Sequence, residues 1–173
     1  GQVGDGSWAN ASSPVQVGED TTWVSMAAGG AHSVAVQSDG TLWAWGRNDY
    51  GQLGNGVTGT EGRQPVPVGT DSTWVSVSAG AYHTLALKSG GTLWAWGNNG
   101  DGQLGDGTTS ASDTPVQVGA ETEWRFVAAG GYHTGGVKAD GSLWTWGLNG
   151  FGQIGDGTTG GSKTVPVDVG FNA

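Results

Sequence analysis

Apolar and polar positions alternate with a period of two in short runs: PVQV from Pro14 to Val17, WVSMAAG from Trp23, HSVAVQ from His32 and LWAWG from Leu42. Successive side chains of an extended chain point to opposite faces, so alternation rich in Val, Trp and Thr predicts strands. No stretch offers an apolar stripe at helical spacing. Turn signals separate the runs. SDG at 38–40 and ADG at 139–141 predict Asp-Gly hairpins, and SGG at 89–91 takes the same place. In LWAWG the large Trp43 and Trp45 share one face, and the smaller Leu42 and Ala44 share the other. A large face against a small one suits a blade packed on both sides, and burying one tryptophan contributes roughly 1.5–3 kcal/mol. Gly46, Gly51, Gly54 and Gly56 follow at once. There the chain is expected to leave one unit and enter the next through bends that need positive φ.

The pattern recurs along the whole chain. His32, His83 and His133 are spaced by 51 and 50 residues, as are Trp23, Trp74 and Trp124. The strands carrying Trp94 and Trp96, and Trp144 and Trp146, repeat the one carrying Trp43 and Trp45. GQVGDG at 1, GQLGNG at 51, GQLGDG at 102 and GQIGDG at 152 keep the same rhythm. About four short antiparallel strands per unit of this length is the pattern of propeller blades; the coils of a β-solenoid are shorter. The expected architecture is all-β: one propeller segment over residues 1–173 with about three four-stranded antiparallel blades. Its repeat units run about 1–50, 51–101 and 102–151, with a partial unit at 152–173.

The combined pattern G-x-x-H-[ST], then DG-x-L-W-x-W-G-x-N, then G-Q-[LI]-G-x-G resembles the repeat of the regulator of chromosome condensation family. The likeness spans essentially all 173 residues. It implies a circular β-propeller. Nucleotide exchange on a small GTPase, the activity known for the family, is not implied. It needs surface loops and insertions that these near-uniform units lack.

Three blades do not close a ring, and residues 1–22 and 152–173 copy the same part of the repeat. The two terminal blades therefore present open apolar flanks, which mark an interface. The expected partner is a second copy, in a homo-oligomer (a dimer first) closing a ring of about six or seven blades, or else the rest of a longer propeller. The chain begins at Gly1 rather than Met, which points to processing or to excision from something longer.

Composition refines the picture. The 36 glycines could indicate disorder, but 10 tryptophans indicate a packed interior fed by tight turns. With 6 basic and 15 acidic residues the formal charge is −9, and the basic residues are scattered. That disfavours a nucleic-acid surface. The absence of cysteine removes disulfides, thiolate ligands and a cysteine nucleophile. No apolar run reaches membrane-spanning length, and no membrane partner is expected. The acidic, cysteine-free, Gly/Thr/Ser-rich make-up leans weakly toward a bacterial extracellular or secreted protein.

No catalytic constellation stands out. His32, His83 and His133, each followed by Ser33, Thr84 or Thr134, are expected to make one structural hydrogen bond per blade. Equivalent positions on successive blades lie too far apart for one metal. G-x-G-x-x-G at 100–105 and 150–155 is followed by no helix, which argues against a dinucleotide site. NNGDGQLGDG at 98–107 has the Asp/Asn/Gly content of a calcium loop but carries Thr109 where the bidentate glutamate belongs. No cofactor is expected, with calcium the one candidate. The units differ at Arg47, Asn98 and Leu148 in one slot and at Tyr50, Asp101 and Phe151 in another. Recognition is expected at these loop positions. The function expected is a non-catalytic protein-interaction or assembly scaffold. The alternatives are a carbohydrate- or ligand-binding module, or an enzyme, using loop-tip aromatics, and then guanine-nucleotide exchange. Gly135 and Gly136, in place of Val34-Ala35 and Leu85-Ala86, predict a looser strand or a close backbone approach.

Overall fold

The computed structural model describes residues 1–170. Blade 1 is the antiparallel sheet β1 (Trp23–Ala28), β2 (His32–Gln37), β3 (Leu42–Gly46) and β4 (Gly62–Pro67). Blade 2 is β5 (Trp74–Ala79), β6 (His83–Lys88), β7 (Leu93–Gly97) and β8 (Ser112–Gln117). Blade 3 is β9 (Trp124–Ala129), β10 (His133–Lys138), β11 (Leu143–Leu148) and β12 (Ser162–Asp168). Strands follow chain order within each sheet, and no helix occurs among the described residues. Prolines fall in the fourth strands, at Pro65, Pro67, Pro115 and Pro166, where an edge tolerates the missing N–H.

Register assigns the faces. Met26, Ala35 and Trp43 pair across β1–β3, as do Ala27, Val34 and Ala44. Directly paired residues share a side, so each blade has a front face with the tryptophans and a back face with the smaller aliphatics. The back of blade 1 (Val34, Val36, Leu42, Ala44) packs on the front of blade 2 (Trp74, Val77, Ala86, Trp96) in one core cluster. The back of blade 2 packs on the front of blade 3 in a second. The core is therefore two inter-blade layers, and the alternation of LWAWG has the function expected of it.

Local features depart from the sequence expectations. Pro14–Val17 is not a strand. Its later copies are the fourth strands, each paired with the third strand of its own blade, whereas the first copy pairs with no strand among the described residues. The glycine-rich segment does not pass between blades. It joins β3 to β4 within a blade and leans on the next one. The Asp-Gly hairpins are not two-residue turns: Gln37 N–H donates to Thr41 O, Gly40 N–H donates to Gln37 O, and only Gly40 has positive φ. This is a three-residue loop closed by a glycine bulge, because Asp39 keeps negative φ and uses its carboxylate to accept from Thr41 N. At Gly136 a Cβ would lie 2.6 Å from the Trp124 ring, which is a close approach; at Gly135 it would meet nothing nearer than 3.8 Å.

Candidate functional site

Two features recur along the stack, one at both inter-blade interfaces and one in each blade. The first is a hydrogen-bonded relay between blades. His32 Nε2 lies 2.9 Å from Thr84 Oγ1, and Thr84 Oγ1 donates to Gln52 O at 2.8 Å. His83, Thr134 and Gln103 repeat this at 3.2 and 2.8 Å. The hydroxyl proton is committed to the carbonyl, so the imidazole Nε2–H is the donor to the hydroxyl. The Nδ1 atoms of His32 and His83 are buried without a partner. Burial lowers the pKa of His32 to about 4 and that of His83 to about 3, the latter helped by its neighbours His32 and His133. Both rings are therefore neutral at physiological pH. The same glutamine carbonyl accepts from an indole: Trp96 Nε1 to Gln52 O and Trp146 Nε1 to Gln103 O, each 3.0 Å.

The second feature is the loop that presents this carbonyl. Asn48, Asn99 and Asn149 are fully buried at its base. Asn99 Oδ1 accepts from Leu104 N at 3.0 Å, and its Nδ2 donates to the carbonyls of Thr108 and Ser110. The other two loops share the acceptor bond, at Leu53 and Ile154. Sequence reasoning assigned no role to these asparagines or to Gln52 and Gln103. Their recurrence at fixed places beside the variable slots was the available signal.

The tryptophans of the paired W-x-W strands line the front faces. Trp74 lies 6.0 Å from Trp94 and 6.2 Å from Trp96, and Trp124 lies 6.5 Å from Trp144 and 5.7 Å from Trp146. In blade 1 Trp23 lies 6.4 Å from both Trp43 and Trp45. Lys88 and Lys138 cover these clusters in blades 2 and 3, with Nζ 4.0 Å from the Trp94 ring and 3.7 Å from the Trp144 ring. Gln37 takes that place in blade 1.

The six variable-slot residues lie at the ends of three successive third strands and in the loops after them rather than around one centre. Arg47 pairs with Asp49 and sits 5.5 Å from the Tyr82 ring, which Tyr50 approaches at 5.3 Å. Tyr82 in turn lies 6.3 Å from Tyr132, giving an aromatic row across the blades. Asn98 and Asp101 converge on Gln103: Asn98 Oδ1 accepts from its Nε2, and Asp101 N donates to its Oε1. Leu148 ends β11, with its N–H donating to Tyr132 O. Phe151 is 93% exposed. In the candidate calcium loop, Asp106 Oδ1 accepts from Asn99 Nδ2, Thr108 N and Thr108 Oγ1. No cluster of His, Asp or Glu able to hold a metal occurs among the described residues.

The terminal faces differ from their buried equivalents. Met26 on the front of blade 1 is 65% exposed, against 8% for Val77 at the same register in blade 2. On the back of blade 3 Leu143 is 43% exposed, against 1% for Leu42 and 0% for Leu93. Phe126, on that back face beside Val137, is 72% exposed. A cavity of about 540 Å³ opens on the blade 1 front, lined by Val15, Val17, Trp23, Met26, Ala35 and Trp45 among others.

Family comparison agrees with this geometry. The model of the regulator of chromosome condensation (RCC1) repeat matches residues 39–87, 90–137 and 140–173. A second model of the same repeat matches 23–52, 74–103 and 124–153. Among curated proteins, the Protein RCC2 homolog of Danio rerio is 44% identical over 78 residues, covering 44% of this chain and 16% of that protein. Human Protein RCC2 is 44% identical over the same length, covering 15% of that protein. The matched part is thus about a sixth of these relatives. Among solved structures, Prp20p from Saccharomyces cerevisiae superposes with a TM-score of 0.77 at 24% identity, over 85% of this chain and 38% of that one. Human WBSCR16 gives 0.74 at 25% identity, over 84% and 37%. Yeast RCC1 (Prp20) bound to Kap60 gives 0.75 at 25% identity, over 85% and 37%. These relatives are eukaryotic, which overturns the lean toward a bacterial secreted protein. Glycine content here follows from the turns each blade needs and carries no information about compartment.

Proposed function

Because this chain belongs to the regulator of chromosome condensation (RCC1) repeat family, we propose that it is a non-catalytic protein-interaction scaffold that self-associates through its terminal blade faces. The dimer is the first assembly expected, and the remaining blades of a longer propeller are the other source of the same partner surface. One observation carries this reading: the front of blade 1 and the back of blade 3 carry large apolar side chains that stay open, with Met26 at 65%, Leu143 at 43% and Phe126 at 72%. Covering the exposed part of such side chains is favourable at roughly 25 cal/mol per Å², against which association loses translational and rotational freedom. Binding to another protein is consistent with the structure of the yeast relative, which is in complex with Kap60. The reading is tested by sedimentation velocity over a micromolar concentration series. Self-association that Met26→Asp or Leu143→Asp abolishes supports it, and association indifferent to both removes it.

A second reading is favoured by the aromatic row Tyr50, Tyr82 and Tyr132 and by the exposed Phe151. In it the loops bind a carbohydrate or other ligand by stacking. Glycan-array binding lost in Tyr50→Ala or Phe151→Ala would favour this reading over the first.

A further inference from the structure

We propose that Asn99 and Asn149 are sites of spontaneous covalent modification, protected while their loops are shut and exposed when a loop opens. Each loses its side-chain amide to attack by the backbone nitrogen of the glycine that follows, and the loop then cannot shut again. The chemistry belongs to each loop by itself and does not rest on self-association.

The three loops share a buried asparagine and differ in the residue after it. Asn48 is followed by Asp49, Asn99 by Gly100 and Asn149 by Gly150. An asparagine side chain can close on the next backbone nitrogen to form a five-membered ring, and a Cβ on that next residue hinders the approach. Glycine has no Cβ, so 99–100 and 149–150 favour the closure and 48–49 opposes it. The backbone itself does not call for glycine at these places. Gly100 and Gly150 are exposed and neither has positive φ. A Cβ would meet nothing nearer than Asn98 Oδ1 at 3.9 Å and Leu148 Cδ1 at 4.0 Å, respectively.

In the shut loop the step is blocked. Both side chains are fully buried. Asn99 Nδ2, the leaving group, donates to Asp106 Oδ1, Thr108 O and Ser110 O at 3.1 Å each. Asn149 Nδ2 donates to Thr158 O at 3.2 Å and to Thr158 Oγ1 at 3.0 Å. Leu104 N and Ile154 N hold the two Oδ1 atoms. Opening the loop releases the side chain into water. The glycine nitrogen gives its proton to hydroxide and attacks the asparagine Cγ. The N–Cγ bond forms, the Cγ–Nδ2 bond breaks, and ammonia leaves with a proton taken from water. Water then adds to either carbonyl of the cyclic imide and opens it to an aspartyl or an isoaspartyl residue. No oxidant or reductant takes part.

The product does not fit the site it came from. A carboxylate at position 99 has no N–H for the carbonyls of Thr108 and Ser110, and it stands against the Asp106 carboxylate. At position 149 it faces Thr158 O. A buried charge left without donors is strongly disfavoured. A transient opening thus becomes a permanent change in the loops that carry Asp101 and Phe151, and a chain modified before it refolds is lost irreversibly. Asn55-Gly56 is a further Asn-Gly pair with a different outcome. Gly56 N is held by Asp113 O, and an aspartyl residue at 55 would match Asp106 in the next loop, which accepts from Asn99 Nδ2 as Asn55 does from Asn48 Nδ2.

The test incubates the full chain in mildly alkaline buffer, with and without denaturant, and follows amide-to-acid conversion by mass spectrometry of tryptic peptides. Cleavage after Arg47, Arg63, Lys88, Arg125, Lys138 and Lys163 puts Asn48, Asn99 and Asn149 on separate peptides, and fragmentation resolves Asn55 and Asn98 from their neighbours. In denaturant Asn99 and Asn149 should convert about tenfold faster than Asn48, whose neighbour carries a Cβ. In native buffer both should convert about a hundredfold more slowly than in denaturant, because only the open loop reacts. Gly100→Ala and Gly150→Ala should melt as the parent does and slow their own asparagine about tenfold in denaturant. On dilution from denaturant, the fraction of parent that refolds should fall as Asn99 and Asn149 convert, and the double variant should keep its fraction. Conversion no faster than at Asn48, or as fast in native buffer as in denaturant, overturns the proposal. Refolding of the converted chain to the parent's melting midpoint overturns it equally.

Discussion

His32 and His83 are held neutral inside the stack, and this makes stability depend on pH in a definite direction. An unfolded histidine takes up a proton near pH 6.5, while the folded rings resist until about 4 and about 3. Stability is therefore full above about pH 6.5 and falls as pH drops toward those values, by about 1.4 kcal/mol per pH unit for each ring. Asp71, lowered to about 2 by its bonds with Lys88 and Thr73, acts in a separate window, its contribution lost only as pH falls below its ordinary value of 3.8. Thermal unfolding followed down to about pH 4.5 should show a falling midpoint, and His83→Gln should flatten that slope by roughly half. An unchanged slope would mean the rings are not neutral in the folded chain. The buried asparagines act on stability directly. Asn99→Ala strands Leu104 N–H and two backbone carbonyls, and should cost about 2–3 kcal/mol in chemical denaturation. The histidines were visible in the sequence by position, but their partners were not. The bond runs to the next blade, Thr84 rather than Ser33, and a repeat period cannot tell a bond within a unit from one between units.

Strands β1–β12 follow the alternation closely, because each face of a blade is buried against a different layer and both must be patterned. The failure at Pro14–Val17 is instructive: its side chains suit a strand as well as those of Pro65–Val68 do, but a strand is a paired object and this segment has no partner strand among the described residues. Hydrogen exchange should separate the copies. The amide of Val68 bonds to Leu42 O and that of Val118 to Leu93 O, and both should exchange slowly, whereas that of Val17 should exchange at nearly the unprotected rate. The glycine-rich loops were legible as bends but not as inter-blade contacts, since the indole each one touches lies more than forty residues away. Gly54→Ala should therefore destabilise the protein by more than Gly155→Ala. Both pay the positive-φ strain, but only the first drives a methyl into an indole. Equal melting points for the two variants would contradict the contact.

At the scale of the molecule, three wedge-shaped sheets share two apolar layers, and a third layer exists only as two unmatched halves. The repeat count and the overlapping ends announce those halves in the sequence. What the sequence does not announce is that each GQxGxG loop docks on a tryptophan strand, as Gln2 O does on Trp45 Nε1, because the loop docks through a backbone carbonyl and a glycine, neither of which marks a binding motif. The central claim is that these flanks are inter-blade faces awaiting another blade. Native mass spectrometry of the 17.4 kDa chain across a concentration series tests it most directly. The account predicts a dimer population that grows with concentration and shrinks in Met26→Asp. A single species at the monomer mass throughout, with Met26 and Leu143 left bare, would contradict it.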